Sequence, residues 1–158
     1  MSNKVSILMG SKSDLDIMKK AAEMLTRFGI EYDIKVLSAH RTPHETIQYV
    51  ESSTSDLFIA GAGGAAHLPG VIAGITSKPV IGVPVNASIS IQGIDSLLSI
   101  VQMPPGVPVA TVGIDAAKNA GILAGQIIAI SNPEVHEKVV AFKKEQHDNV
   151  LASNDALV

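Results

Sequence analysis

Five short apolar runs divide this chain, and each is followed by a stretch with helical periodicity. The first run, Lys4–Met9, is almost continuously apolar and ends in a glycine-rich turn. A strand that is covered on both faces needs such a sequence, whereas a strand with one solvated face alternates. Strands and helices that alternate through short turns form a parallel sheet between two helical layers. The pattern predicts an α/β fold, a three-layer sandwich around a five-stranded parallel sheet.

The second strand indicates the order of that sheet. Tyr32, Ile34 and Val36 alternate with Asp33 and Lys35, which is typical of a half-solvated edge strand. The flavodoxin-like order 2-1-3-4-5 places the second strand at an edge. Residues 1–158 are expected to form a single domain with a disordered tail from about residue 152. Further strands are expected at 56–60, 79–85 and 107–112, and helices at about 11–28, 44–52, 68–75, 94–101, 115–130 and 133–150.

Composition narrows the possible functions. A net charge of −3 argues against non-specific binding to nucleic acid, which needs a basic face. The absence of cysteine excludes disulfides, thiolate–metal sites and cysteine nucleophiles. We expect a cytoplasmic protein without a membrane segment, because the sequence contains neither a signal peptide nor an apolar run of about 18 residues. Only 17% of residues are charged, which is typical of a protein that buries surface in an oligomer.

Residues 38–43 (S-A-H-R-T-P) join the second strand to a helix and carry the strongest functional signal. Ligands of parallel α/β sheets bind beyond the carboxyl ends of the strands. Histidine can act as acid and base in one turnover, so His40 is the candidate for proton transfer. Arg41 can bind a phosphate through two hydrogen bonds, and Ser38 can add a donor. The alternative is structural, with Ser38 as a helix cap, His40 exposed and Arg41 in a surface ion pair.

Residues 11–14 (S-K-S-D) open the first helix and allow two interpretations. Ser11 and Asp14 have the spacing of a capping box, which would explain both residues without a ligand. Alternatively, the hydroxyls of Ser11 and Ser13 and the N–H groups of the helix bind a ligand. Asp14 would repel a phosphate, so its partner in that case would be a neutral diol such as ribose.

Residues 61–70 contain four glycines and three alanines. Such small side chains would let a planar ligand lie against the backbone, where the N–H groups of Gly63, Gly64 and Ala65 would recognise it. Tight packing of the loop is the alternative. His67 is assigned first to ligand binding, and the alternatives are a second acid/base group or a packed structural histidine. No pair among the histidines has convincing metal-ligand spacing with carboxylates, so no metal is expected.

The predicted helix at 115–130 has few polar positions. Lys118, Asn119 and Gln126 fall within about 100° of one another, and the rest of its surface is Ala, Gly, Ile and Leu. A helix that covers its own sheet needs only an apolar stripe, so this pattern favours packing against other subunits. The alternative is a small-residue helix pressed closely onto the sheet of its own chain.

Five motifs together resemble a known family. They are M-G-S-K-S-D at 9–14, S-A-H-R-T-P at 38–43, A-G-A-G-G-A-A-H-L-P-G at 60–70, G-V-P-V at 82–85 and L-L-S-I-V-Q-M-P at 97–104. The chain resembles the N5-carboxyaminoimidazole ribonucleotide mutases of bacterial purine biosynthesis, in register from about residue 4 to residue 150. Five motifs in one order would not arise by chance, although each alone is a weak signal.

This resemblance implies an isomerase that uses no cofactor and forms a homo-octamer. The carboxyl group of N5-carboxyaminoimidazole ribonucleotide would leave nitrogen, remain bound as CO2 and recombine at ring carbon C4. By the same matching, His40 is the catalytic proton shuttle, and a functional link to the synthetase that makes the substrate is possible. Substrate binding is assigned to Ser11, Ser13, Asp14, Ser38, Ala39, Arg41, Gly63, Gly64, Ala65 and His67.

Two other functions remain open from the residues. One is the related carboxylase, which would use aminoimidazole ribonucleotide and CO2 directly. The other is a non-catalytic flavodoxin-like module that binds FMN or another nucleotide. The three candidate loops contain no Tyr, Phe or Trp to stack on a flavin, which disfavours the module. A purely structural oligomer would leave the His40 and Arg41 loop without a purpose.

Overall fold

The computed structural model describes residues 3–157, apart from the side chain of Ala156. Its five strands are all parallel and lie in the order β2-β1-β3-β4-β5. The predicted sheet and its order are therefore confirmed, with the second strand at an edge. The strands are β1 (Lys4–Met9), β2 (Glu31–Val36), β3 (Leu57–Gly63), β4 (Val80–Val85) and β5 (Ala110–Thr111).

Helices cover both faces of the sheet and enclose one apolar core on each side. One core joins Ile7, Ile59 and Ile81 of the sheet to α1, α5 and α6, and the other joins Leu8 and Phe58 to α2, α3 and α4. The sandwich of three layers follows from these two cores. The helices are α1 (Leu15–Phe28), α2 (Pro43–Ser52), α3 (Leu68–Ile75), α4 (Ile94–Val101), α5 (Ala117–Ala129) and α6 (Pro133–Ala152), with 3-10 helices at Lys12–Asp14 and Ser153–Leu157.

Two strands differ in length from the prediction. β3 continues through Gly63, because the small residues 61–63 pair with residues 83–85 of β4. β5 is only two residues long instead of six. Pro108 before it and Pro84 on the facing strand both lack an N–H and cannot donate to the ladder, which interrupts regular pairing. Beyond Thr111, the N–H groups of Val112 and Asp115 still donate to the carbonyls of Gly82 and Pro84. The predicted span 107–112 was therefore too long.

Helix α5 begins two residues later than predicted and packs within its own chain. Asp115 has a φ of 56°, which excludes it from the helix. A Cβ added to Gly121 would lie 2.7 Å from the Ala21 carbonyl oxygen, and one added to Gly125 would lie 2.5 Å from Phe28 Cδ2. These glycines let α5 approach α1 closely. The small residues of α5 thus serve packing inside the chain. Ile122, Leu123 and Ile127 are only partly buried, and the expected packing of α5 against other subunits stays a prediction.

A polar network holds α2, which carries the loop at 38–42 on its N-terminal side. Tyr49 donates a hydrogen bond to Asp33 of β2 and lies 2.8 Å from the Ser6 hydroxyl of β1. Burial and the hydrogen bond to Asp33 raise the pKa of Tyr49 to about 12. Burial opposes ionisation of Asp33, but hydrogen bonds from Tyr49 and Ser6 and the charge of Lys4 keep its pKa below the usual value. The hydrogen bond from the neutral Tyr49 phenol to the Asp33 carboxylate therefore anchors α2 to the edge of the sheet.

The ends of the chain bear on two further expectations. The segment expected to be disordered from about residue 152 forms the end of α6 and an exposed 3-10 helix, and its last residue, Val158, lies outside the described part. Its disorder stays a prediction, as does the single domain over 1–158. Within residues 3–157, none of the helices combines the length and apolar character needed to cross a bilayer.

Candidate active site

A cavity of about 390 Å³ lies beyond the carboxyl ends of β1, β2, β3 and β4. This volume is in the usual range for small-molecule sites. All of the predicted site residues except Gly64 line it. The lining residues are Gly10, Ser11, Ser13, Asp14, Ser38, Ala39, His40, Arg41, Ala62, Gly63, Ala65, His67, Leu68, Ala87, Ser88 and Ile89.

The loop at 38–42 is shaped by its own hydroxyls. Thr42 accepts from the Ser38 N–H at 2.8 Å, and Ser38 Oγ accepts from both the backbone N–H and the Nε of Arg41 at 3.3 Å. Arg41 Nη2 donates to the Gly10 carbonyl at 2.6 Å. Among the described residues Arg41 forms no salt bridge, contrary to the structural alternative. Its exposed guanidinium can therefore meet an anion.

His40 and His67 are brought together by the fold although they are 27 residues apart. His40 Nε2 lies 2.8 Å from His67 Nδ1, and the two rings meet edge to face at 85°. One of these nitrogens donates and the other accepts, so the tautomers of the two rings are linked. This arrangement places two groups capable of proton transfer at the mouth of the cavity.

Asp14 is buried at the start of the site, where Ser13 donates to its carboxylate at 3.1 Å. Burial raises the pKa of Asp14 above its ordinary value, although hydrogen bonds from Ser13 and the Ser11 backbone and the charge of Arg41 oppose this effect. Ser11 accepts from the Ser13 N–H and caps the short 3-10 helix. The capping interpretation and the binding interpretation are thus compatible, because these groups also line the cavity.

The loop after β4 is the part of the site that the sequence analysis missed. Ala87, Ser88 and Ile89 line the cavity, and Gly64 is turned away from it, with its N–H donating to Ser90 Oγ at 2.8 Å. The sequence analysis expected the Gly64 N–H to bind a ligand, and this expectation was wrong because that N–H is bonded to Ser90. A usable signal existed, since the G-V-P-V run ends a parallel strand and the loop after it must lie at the same edge.

The described residues contain no cluster of metal-ligating side chains. Across residues 3–157 no three His, Asp or Glu side chains are grouped so that they could hold a metal ion. The cavity is lined by two imidazoles, one exposed cation, one buried carboxylate and several hydroxyls. Such a set can bind an anion and a diol and can transfer a proton.

Comparison with known proteins identifies the family. The family model described as AIR carboxylase matches residues 4–149. The chain belongs to the AIR carboxylase family. Within the AIR carboxylase family, the N5-carboxyaminoimidazole ribonucleotide mutase of Thermotoga maritima is 56% identical over 151 residues, which cover 94% of this chain and 88% of the relative. The mutase of Vibrio cholerae is 57% identical over 152 residues, which cover 93% of this chain and 94% of the relative.

Solved structures of this family share the fold. PurE from Treponema denticola superposes with a TM-score of 0.86 at 30% sequence identity, and the match covers 98% of both chains. The resemblance that the five motifs predicted is therefore confirmed in both sequence and structure.

Proposed function

We propose that this protein is an isomerase of purine biosynthesis that converts N5-carboxyaminoimidazole ribonucleotide into 4-carboxy-5-aminoimidazole ribonucleotide. The observation that carries the proposal is its identity of 50% to 57% with relatives named as this mutase, over more than nine-tenths of the chain. The cavity supports it by offering an acid/base group, a cation and a buried carboxylate at one strand edge.

The reaction moves a carboxyl group from an exocyclic nitrogen to a ring carbon. The N–C bond breaks, its electron pair stays on nitrogen, and nitrogen takes a proton as CO2 is released. The electron-rich C4 then attacks CO2, and the product forms when C4 gives up its proton. One proton is supplied and one is removed, so a single acid/base group suffices and no cofactor is consumed.

His40 is the proton shuttle in this proposal. It lies at the cavity, and its contact with His67 gives the imidazole a defined orientation. The two fragments must stay together between the steps, because recombination is fast only when both are already in place. A small cavity with a largely backbone wall suits that purpose.

The rest of the cavity binds the ribonucleotide in this proposal. Arg41 receives the phosphate with Ser13 and Ser38 beside it, and the buried carboxylate of Asp14 and the hydroxyl of Ser11 receive the ribose hydroxyls. Gly64 is left out of the binding set because its N–H is bonded to Ser90. The base and CO2 lie against Ala39, Gly63, Ala65 and His67.

Two alternatives are less well supported. The direct carboxylase is not favoured, because the relatives of highest identity given above are named mutases. The flavin or nucleotide module would need a stacking platform, and no Phe, Tyr or Trp is among the cavity-lining residues.

The proposal includes a homo-oligomer, specifically an octamer. Ile94, Leu98 and Val101 lie on one side of α4, and each is about half exposed. Ile89 and Ile91, in the loop before α4, are 78% and 73% exposed. An apolar surface of this extent suits burial by another copy of the chain. We place the assembly in the cytoplasm, with a functional link to the synthetase that makes its substrate.

The deciding experiment is a turnover assay without ATP, biotin or metal, at low bicarbonate. It compares N5-carboxyaminoimidazole ribonucleotide with aminoimidazole ribonucleotide plus CO2. Rapid conversion of the first substrate alone supports the mutase. Comparable use of the second would make the protein a carboxylase, and inactivity with both would leave a binding module.

A further inference from the structure

The hydroxyl of Ser90 links the loop after β3 to the loop after β4. It accepts a hydrogen bond from the Gly64 N–H at 2.8 Å and lies 3.2 Å from the Val85 carbonyl oxygen, to which it can donate. Ser96, which is fully buried, donates to the same carbonyl at 2.9 Å. Ser90 Oγ also lies 3.2 Å from Ser96 Oγ. A serine hydroxyl has one proton and two lone pairs, so one of these contacts takes its proton and the bond from Gly64 takes one acceptor position.

The segments that end β3 and follow β4 are also closely packed against each other. A Cβ added to Gly63 would lie 2.5 Å from Ala87 Cβ, and one added to Gly64 would lie 2.9 Å from Ile89 Cδ1. Gly64 has a φ of 64°, in the left-handed region that glycine adopts readily. This conformation accompanies the hydrogen bond of its N–H to Ser90. The described contacts therefore include one polar link, through Ser90, within an otherwise apolar contact between the loops.

Together the loops form the apolar wall of the cavity. Ala62 lies at the end of β3, Ala65 in the loop after it, and Ala87 and Ile89 in the loop after β4. Carbon dioxide carries no net charge, so a site holds it mainly by enclosing it. A wall made of two separate loops can enclose CO2 only while the loops keep their relative position.

We propose that Ser90 is a positioning residue that holds Gly64 and Ile89 in register and so retains CO2 between decarboxylation and recarboxylation. This inference rests on the proposed function for its chemistry. Ser90 itself does not line the cavity, and it acts through Gly64 and the loop that carries Ile89.

The first test measures the link directly and does not depend on turnover. Ser90→Ala removes the acceptor, so the Gly64 amide should exchange with deuterium roughly threefold to tenfold faster, the range expected for one lost hydrogen bond. Overlapping peptides resolve that amide by mass spectrometry. Ser90→Thr keeps the hydroxyl and should restore slow exchange. Ser99→Ala is the matched control, because among the described residues that hydroxyl bonds to the Asp95 carbonyl within α4 and not to either loop.

The second test measures retention of CO2. Unlabelled N5-carboxyaminoimidazole ribonucleotide is converted in ¹³C-bicarbonate with carbonic anhydrase, and the ¹³C content of the product is counted against a blank without enzyme. Label enters only when the original CO2 escapes and is replaced. We expect Ser90→Ala to raise the labelled fraction roughly threefold to tenfold, while Ser90→Thr and Ser99→Ala match the unmodified protein.

The outcomes separate the inference from the function. Unchanged exchange at Gly64 in Ser90→Ala would overturn the link, and faster exchange with unchanged labelling would overturn the positioning role. If the unmodified protein did not convert the substrate, the proposed function would fail. The exchange result would then still decide whether Ser90 holds Gly64.

Discussion

At the scale of single residues, the contact between His40 and His67 links proton transfer to tautomer choice. If His40 Nε2 donates to His67 Nδ1, then Nδ1 of a neutral His40 is bare and acts as a base. If His67 Nδ1 donates instead, Nδ1 of His40 carries the proton and acts as an acid. The first arrangement becomes the second when His40 Nδ1 takes up a proton, the shared proton passes to His67 Nδ1, and His67 Nε2 releases its own proton. The reverse sequence lets His40 give a proton, so the pair can serve an isomerisation in which one proton is given and one is taken.

Replacement of His40 tests this role. His40→Asn should lower kcat by at least about a hundredfold, because the amide can make hydrogen bonds but cannot transfer a proton at neutral pH. Product binding, measured by calorimetry, should stay within a few fold. His44→Asn is the matched control, since His44 is exposed on α2 and does not line the cavity. Near-normal kcat in His40→Asn would end the acid/base assignment.

Asp14 should show opposite effects on stability and on binding. Its raised pKa means that the ionised form is disfavoured in the folded protein, so its contribution to stability is lost as pH rises through that pKa. Asp14→Asn should therefore raise the Tm at pH 7, with a smaller gain at acidic pH where Asp14 is already protonated. The same substitution should raise KM, because the carboxylate is the proposed partner of the ribose hydroxyls.

Thermal melting between acidic and neutral pH, together with KM at pH 7, checks the Asp14 prediction. Asp16→Asn is the control, because Asp16 is exposed and a hydrogen bond from Lys19 lowers its pKa. That variant should gain no stability at pH 7. An Asp14→Asn variant with unchanged KM would remove Asp14 from the binding site.

At the scale of secondary-structure elements, the close approach of α1 and α5 depends on missing side chains. Gly121 and Gly125 occupy one side of α5, and both face α1 at distances too short for a Cβ. Glycine in a helix costs about 1 kcal/mol relative to alanine. Glycine is needed at these positions because the Ala21 backbone lies where a methyl group on residue 121 would be, and the Phe28 ring lies where one on residue 125 would be.

Gly121→Ala should destabilise the protein despite the better helix propensity of alanine. The added methyl would meet the Ala21 carbonyl at 2.7 Å and Met24 Cβ at 2.9 Å, and such overpacking costs about 1–3 kcal/mol. Gly74→Ala in α3 is the matched control, since nothing lies within 4 Å of the new methyl, and it should stabilise by about 0.5–1 kcal/mol. Melting curves recorded at one protein concentration show whether each substitution raises or lowers the Tm. A more stable Gly121→Ala would show that α5 can move away from α1.

At the scale of the whole molecule, the exposed apolar side of α4 is the main unexplained surface. Ile94, Leu98 and Val101 follow helical spacing, and each exposes between 47% and 53% of its area. The opposite positions Ser96 and Ile100 are fully buried against the sheet. Helix α4 is thus apolar on both sides, as expected of a helix that is covered by its own sheet and by a second chain.

Leu98→Lys should break the proposed assembly. A charge in the middle of a buried apolar contact leaves a cation without a partner, which association cannot compensate. We expect light scattering after size exclusion to report a smaller species at micromolar concentration. Val140→Lys on α6 is the control, because Val140 is equally exposed at 53% but lies outside the α4 surface. An unchanged mass in Leu98→Lys would move the interface elsewhere.

The amino-acid sequence by itself determined the α/β class, the sheet order and most of the site. Continuous apolar runs and helical periodicity act locally, and in a parallel sheet the loops after the strands must share one edge. His40, Arg41 and Asp14 could therefore be placed at one edge of the sheet from the sequence alone. The same motifs were sufficient to indicate the family that the comparisons confirmed.

Only the tertiary structure decided which hydrogen-bonding groups and which surfaces already have a partner within the chain. The Gly64 N–H is bonded to Ser90, the small face of α5 is filled by α1, and β5 stops after two residues because prolines interrupt its ladder. The partner of each group lies far along the sequence, and local periodicity carries no information on such pairings. The contact of His40 with His67 has the same origin. The loops after two different strands bring His40 Nε2 to within 2.8 Å of His67 Nδ1.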